Sequence, residues 1–176
     1  MFKKLNLFSR TEMKVLAFMS KKDGELYERQ IADGAGVSTG SANTMLKEFA
    51  RIGLLKQSKK GKMLFYGRND NSPLLRQFKV FSTVNGLMPV VERIAGFCSR
   101  IVLFGSCAEG RNGEKSDIDL LVISNEKERV RRALDDYDSI QAIILSPMEY
   151  AGLGKKDKPL YERMNAGIGI YGDENG

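Results

Sequence analysis

The sequence predicts an α+β chain in two modules, one helical and closed by a hairpin, the other built on a mixed sheet, with an apolar helical connector between them. Three observations predict this. Apolar residues recur at helical spacing through most of residues 9–53 and again over 74–97, whereas 101–104, 118–123 and 139–145 are short apolar runs of strand length. Charge divides at the same place. Residues 1–72 hold 14 Lys and Arg against 7 Asp and Glu, a net +7, and residues 73–176 hold 14 against 15, a net −1. The turn-rich break Asn69-Asp70-Asn71-Ser72-Pro73 lies between them. Such a division suggests a basic module that meets a polyanion; a solvated surface is the alternative.

Composition narrows the chemistry. At 176 residues, 42% hydrophobic and 28% charged, the chain is a globular mixture able to bury a core. It has no histidine. That excludes a Ser-His-Asp triad, a histidine base, a histidine metal site and an HD-type phosphohydrolase. Two cysteines, Cys98 and Cys107, cannot build a four-cysteine zinc site or a disulfide framework. Catalysis, if any, rests on carboxylates, Lys, Ser, Tyr or a hard metal. No apolar run approaches the ~18 residues of a membrane span. Met1–Asn6 lacks the apolar region of a secretory signal, so a cytoplasmic protein without membrane contact is expected.

The elements follow in order. Ser9-Arg10-Thr11-Glu12 is a capping-box pattern ahead of Met13, Leu16, Ala17 and Met19, a first helix ended by Asp23-Gly24. Leu26 and Tyr27 begin a second segment, with Ile31 and Ala32, that breaks at Gly34-Ala35-Gly36. Ser38 sits where an N-cap belongs, before Ala42, Met45, Leu46, Phe49, Ala50 and Ile52; that third helix stops at Gly53. Strands over Leu54–Ser58 and Met63–Gly67 flank a tight basic turn, Lys59-Lys60-Gly61-Lys62.

This order, with Gln30–Ser38 and Leu46–Leu55, resembles a winged helix-turn-helix. The resemblance implies that the third helix enters a major groove of double-stranded DNA, with Ser38, Thr39, Ser41, Asn43, Thr44 and Lys47 near base edges, Asn43 being able to bridge an adenine. The wing lysines Lys59, Lys60 and Lys62 would meet phosphates. Winged helices also dock proteins; the +7 charge and the turn lysines favour DNA. A homodimer is expected if two half-sites are read.

The connector opens on a Ser72 cap and Pro73 at the first helical position. One helix or two follow, with breaks expected near Asn85-Gly86 or Pro89, and the apolar face either crosses between modules or pairs with its copy. The expected domains are 1–72, a connector over 73–98, and 99–176.

The second module carries the most specific pattern. Strand Ile101–Phe104 runs into Gly105-Ser106, and Ser116-Asp117-Ile118-Asp119-Leu120 opens a second strand. A glycine after a strand lets backbone amides approach a phosphate, and the serine adds a donor. Asp117 and Asp119, two apart on a strand, share a face, while Ile118 and Leu120 face a core. Paired carboxylates suit Mg²⁺ carrying a nucleotide's phosphates.

Phe104-Gly105-Ser106, Gly110 and Ser116–Leu120 together resemble the signature of the polymerase-β-type nucleotidyltransferase superfamily in minimal form, over about residues 100–171. The resemblance implies that Gly105, Ser106 and Ser116 hold ATP or another nucleoside triphosphate. It implies that Asp117 and Asp119 are catalytic and hold Mg²⁺, which aligns the α-phosphate for in-line displacement. The family's third carboxylate, base and second-metal ligand, falls on strand Ser139–Leu145, where Gln141 stands; an amide cannot take a proton from an attacking hydroxyl. Asp138 precedes that strand out of register. Cys107 and Glu109 occupy positions that are often basic in the family.

The remaining segments read as scaffold: a charged helix over Glu126–Tyr137, a helix started by Ser146-Pro147, a basic loop Lys155–Pro159, a short helix Leu160–Met164, a closing strand Ala166–Gly172 and a frayed tail Asp173–Gly176. Two functional readings follow. One is a DNA-binding transcription regulator whose second module binds Mg-nucleotide with weak or no transfer. The alternative is an active Mg²⁺-dependent nucleotidyltransferase moving a nucleotidyl group such as AMP onto a protein, nucleic acid or small molecule, including as the antitoxin-like member of a two-gene pair whose partner protein is the acceptor.

Overall fold

The computed structural model describes residues 9–172; the opening residues read for a signal and the tail read as frayed lie outside them. Two compact units divide the chain at Lys79/Val80.

In the first unit, α1 (Arg10–Lys21) starts on a full capping box. The Glu12 N–H reaches Ser9 Oγ at 3.3 Å, and the Ser9 N–H reaches Glu12 Oε2 at 2.7 Å. β1 (Glu25–Tyr27), α2 (Glu28–Ala35) and α3 (Thr39–Arg51) follow, α3 capped by Ser38. β2 (Leu55–Lys60) and β3 (Met63–Arg68) pair antiparallel, and β1 adds to β3, giving a sheet of order β1-β3-β2. Leu16, Ile31, Leu46, Phe49, Leu54 and Tyr66 are fully buried between the helices and the sheet. This is a winged helix.

Two local expectations need correction. Leu26 and Tyr27 belong to a strand, with Leu26 opposite Tyr66, because three residues are too few for periodicity to register. The hairpin turn is the pair Gly61-Lys62. Gly61 takes φ +63°, which two-residue turns require, and this leaves Lys59 and Lys60 on the end of β2.

α4 (Pro73–Ile94) is one helix, unbroken at Asn85-Gly86 and Pro89. Its start is capped by Ser72, whose Oγ accepts from the Leu75 N–H at 3.4 Å. Leu75 and Phe78 belong to the first unit's core, and Leu87, Val90, Val91 and Ile94 to the second's. Burial of the last turns outweighs the bond that Pro89 cannot donate.

The second unit is a four-stranded mixed sheet, order β6-β5-β4-β7. β4 (Arg100–Phe104) pairs antiparallel with β5 (Ile118–Ile123) and β7 (Ile168–Tyr171), and β5 pairs parallel with β6 (Ile140–Leu145). Side chains alternate between two cores. Ile101, Leu103, Leu120 and Val122 pack with Val130 and Leu134 of α6 (Lys127–Leu134) and with the end of α4. Val102, Phe104, Leu121 and Ile123 pack with Met164. Lys155 and Lys156 end α7 (Pro147–Lys156), and Lys158-Pro159 begin α8 (Lys158–Asn165), so the expected basic loop is a helix junction. Asp157 makes it, accepting from the Leu160 N–H at 3.0 Å. Among the described residues no helix is long and apolar enough to cross a membrane.

α7 carries an electrostatic staple. Lys127 of α6 donates to Glu149, and the Ser146 N–H donates to Glu149 Oε2 at 2.7 Å. These bonds hold the carboxyl at about 2, below its ordinary 4.5. A depressed folded value contributes stability above 4.5 that is lost as pH falls toward about 2. In urea unfolding, wild type is therefore expected to exceed Glu149→Gln in stability at neutral pH, with the difference shrinking through that acid window. A pH-independent difference contradicts the assignment.

Candidate functional site

β4 delivers the chain to Gly105, which takes φ +70°. Ser106, Cys107 and Ala108 then wind through a single turn, α5 (Gly105–Ala108), with the Glu109 N–H bonded to the Gly105 carbonyl at 3.3 Å. The antiparallel register sets Phe104 opposite Asp119, and the Asp119 carboxylate lies against the face of Gly105 where any side chain would be. Two facts thus demand glycine here: a left-handed backbone and an acid in the space of a Cβ.

The loop from Glu109 to Asp117 folds back on this turn. The Arg111 N–H donates to the Ser106 carbonyl at 2.9 Å, and the Gly113 N–H to Ser116 Oγ at 2.8 Å. Ser116 therefore closes the loop. Cys107 is buried, its thiol donating to the Asp117 carbonyl at 3.4 Å, which braces the first aspartate from behind. The Arg111 guanidinium is bound to Glu109, Nε to Oε2 at 2.6 Å, so a cation stands near the Gly-Ser turn although Glu109 itself is acidic. Arg111 escaped the sequence reading; the Glu109-x-Arg111 spacing was its only signal.

Asp117 stands exposed one residue before β5, and Asp119 is half-buried within it. Alternation puts both on the sheet face of Leu121 and Ile123. Parallel pairing places Gln141 level with Asp119 on the same face, and Gln141 Nε2 donates to Asp117 Oδ2 at 3.5 Å. Ile118 pairs with Ile140, which leaves Asp138 two residues short of the strand. Gly105, Ser106, Asp117, Asp119 and Gln141 are thus brought to one end of the sheet. Among the described residues no group of three or more His, Cys, Asp or Glu is placed to hold a metal ion. The carboxylates here are a pair, completed by an amide.

The first unit presents a second surface. Thr39, Thr44 and Lys47 of α3 are exposed together, beside Gly40 and Arg51. Ser38 caps the helix, and its hydroxyl donates to that of Ser41 at 2.8 Å. Asn43 is half-buried, and its amide donates to the Glu28 carboxylate at the start of α2, so it lies on the flank of the exposed face. On the hairpin, Lys59 and Lys62 are exposed, while Lys60 pairs with Glu25 at 2.8 Å and lies over the Phe65 ring at 4.8 Å.

The family model described as "Nucleotidyltransferase domain" matches residues 90–162. The second unit therefore carries a nucleotidyltransferase domain. No curated protein matches the sequence. Similar solved structures include human N-acetylserotonin methyltransferase in complex with SAM, at 18% identity and TM-score 0.32; the match covers 47% of this chain and 29% of that one. Sso10a-2, a DNA-binding protein from Sulfolobus solfataricus, has 16% identity and TM-score 0.38 over 51% of this chain and 95% of that one. TrmBL2, an archaeal chromatin protein, has 14% identity and TM-score 0.33 over 90% and 73%.

The glycine argument has a direct check in urea unfolding. Gly105→Ala is expected to cost more than about 1 kcal/mol, through left-handed strain and displacement of Asp119. Gly40→Ala, helical with open space around it, is expected to gain about 0.5–1 kcal/mol. Equal effects at the two positions would refute the close approach.

Proposed function

We propose that the second unit binds a nucleoside triphosphate with Mg²⁺ between the Gly105-Ser106 turn and the Asp117–Asp119 pair, with weak or absent transfer, and that the first unit binds double-stranded DNA, making the chain a transcription regulator. The observation that carries the first part is Gln141 level with Asp119 and hydrogen-bonded to Asp117.

The donor set fits one Mg²⁺: two hard carboxylates on one face, with the Gln141 carbonyl as a neutral third oxygen. Asp117 and Asp119 would hold it, and it would supply charge neutralisation at the phosphates. Backbone N–H groups of the turn and the Ser106 hydroxyl are the phosphate donors. Gln141 cannot accept the proton of an attacking hydroxyl, which removes the general base.

The DNA reading rests on the +7 charge of residues 1–72, on Thr39, Thr44 and Lys47 exposed along α3, and on the three hairpin lysines. Lys60 must exchange Glu25 for a phosphate, so its contribution is smaller than that of Lys59 or Lys62. Asn43 must likewise leave Glu28 to read a base, or read it with its remaining N–H and carbonyl.

Calorimetry with ATP, GTP, CTP and UTP tests the nucleotide site. Mg²⁺-dependent binding is expected in wild type and lost in Asp117→Asn/Asp119→Asn; no binding at millimolar nucleotide refutes it. With α-labelled nucleotide, Gln141→Asp is expected to raise transfer to water or added hydroxyl acceptors by about 100-fold. Efficient transfer by wild type would favour the active-enzyme reading instead.

For the DNA surface, neutralising Lys59, Lys60 and Lys62 is expected to lower the slope of log affinity against log salt by about 2–3. An unchanged slope removes the hairpin from the interface.

A further inference from the structure

α8 carries a cation that neither the nucleotide site nor the DNA surface uses. The Arg163 guanidinium lies 5.9 Å from the centre of the Phe104 ring, within cation–π range. Phe104 is the last residue of β4, directly before the Gly105-Ser106 turn, and the antiparallel register sets it opposite Asp119. Opposite residues of antiparallel strands share a face. Phe104, Asp117 and Asp119 therefore stand on the side of the sheet that α8 packs against through Met164. Phe104 is buried and Arg163 exposed, so a core ring anchors a solvent-facing cation at the end of the sheet where the two aspartates stand.

Charge gives this position its meaning. The carboxylates of Asp117 and Asp119 would be balanced by one Mg²⁺, and the negative charge of a triphosphate then remains to be met. The turn offers neutral donors only, its backbone N–H groups and the Ser106 hydroxyl. Arg111 is bound to Glu109, and that pair sums to zero. Among the described residues Arg163 pairs with no acid, and the Phe104 ring is what it rests on. Lys115 of the loop is unpaired as well, but no contact among the described residues holds it. We infer that Arg163 binds the phosphates beyond the α-phosphate, and so makes the site discriminate nucleoside triphosphates from monophosphates. This rests on the nucleotide-binding reading above and adds to it the cation that recognises the phosphate chain. A guanidinium suits the task, being always charged and presenting two parallel N–H donors to phosphate oxygens. The ring restrains the side chain without neutralising it, so less freedom is lost when a phosphate binds.

Calorimetric titration of the full chain with ATP and with AMP, both with Mg²⁺, tests the inference. Arg163→Ala is expected to weaken ATP binding about 10-fold or more and to leave AMP binding unchanged, with the circular dichroism spectrum and melting of wild type. Arg163→Gln, which keeps a stem over the ring, gives the same readout should Arg163→Ala fail to fold. Arg163→Lys, which keeps the charge and loses the fork, is expected to recover part of the ATP affinity, and Lys115→Ala to leave the ratio of ATP to AMP affinity as in wild type. Equal losses of ATP and AMP in Arg163→Ala would mark a merely structural role and overturn the inference. So would a wild type that binds ATP no better than AMP, or a ratio that falls with Lys115→Ala instead. ATP binding that survives Arg163→Ala but is lost in Asp117→Asn/Asp119→Asn overturns the role of Arg163 and leaves the nucleotide site standing. A wild type that binds neither nucleotide overturns both.

Discussion

The nucleotidyltransferase domain is organised around one close approach, the Asp119 carboxylate against the bare backbone of Gly105. Everything at the site depends on it. β4 must end at Phe104 opposite Asp119, the chain must turn left-handed at the next residue, and the following amides must wind immediately beside the acid. The arrangement sets potential phosphate donors beside a pair of carboxylates, which repel a phosphate unless a cation lies between them. The buried Cys107 thiol, bonded to the Asp117 carbonyl, and the loop closed by Ser116 hold Asp117 in place beside Asp119. Neither residue needs to touch a ligand to matter.

The parallel pairing of β5 and β6 then decides what this framework can do. Register alone puts residue 141 beside Asp119, so whichever side chain stands there joins the pair. Glutamine keeps the size and an oxygen of a carboxylate but discards its charge and basicity. Its amide N–H also reaches Asp117, a bond that a carboxylate could not make. In the reading proposed above, the side chain at 141 is what separates holding a nucleotide from transferring part of it, since function resides in the site and not in the fold.

Local signals were the legible ones. The Ser9, Ser38 and Ser146 caps were readable because each acts within three residues, and the Gly-Ser and Asp-Ile-Asp patterns because glycine and alternating acids break otherwise apolar strands. Gln141 could be placed because the family resemblance puts a third carboxylate on the strand Ser139–Leu145, and the pairing of β5 with β6 sets residue 141 level with Asp119. What could not be read is long-range or very short. β1 is three residues whose only signature is pairing with β3, far along the chain. Asn43 was read as outward-facing, and its bond to Glu28 joins residues fifteen apart. Local chemistry at Pro89 argued for a break, yet burial of Leu87, Val90, Val91 and Ile94 kept α4 whole.

The central claim is that this donor set, two carboxylates and an amide, holds a single divalent ion. Counting bound Mn²⁺ by electron paramagnetic resonance, with a saturating non-hydrolysable nucleoside triphosphate, tests it most directly. The account predicts one Mn²⁺ per chain in wild type and two in Gln141→Asp. Two in wild type, or none, would contradict it.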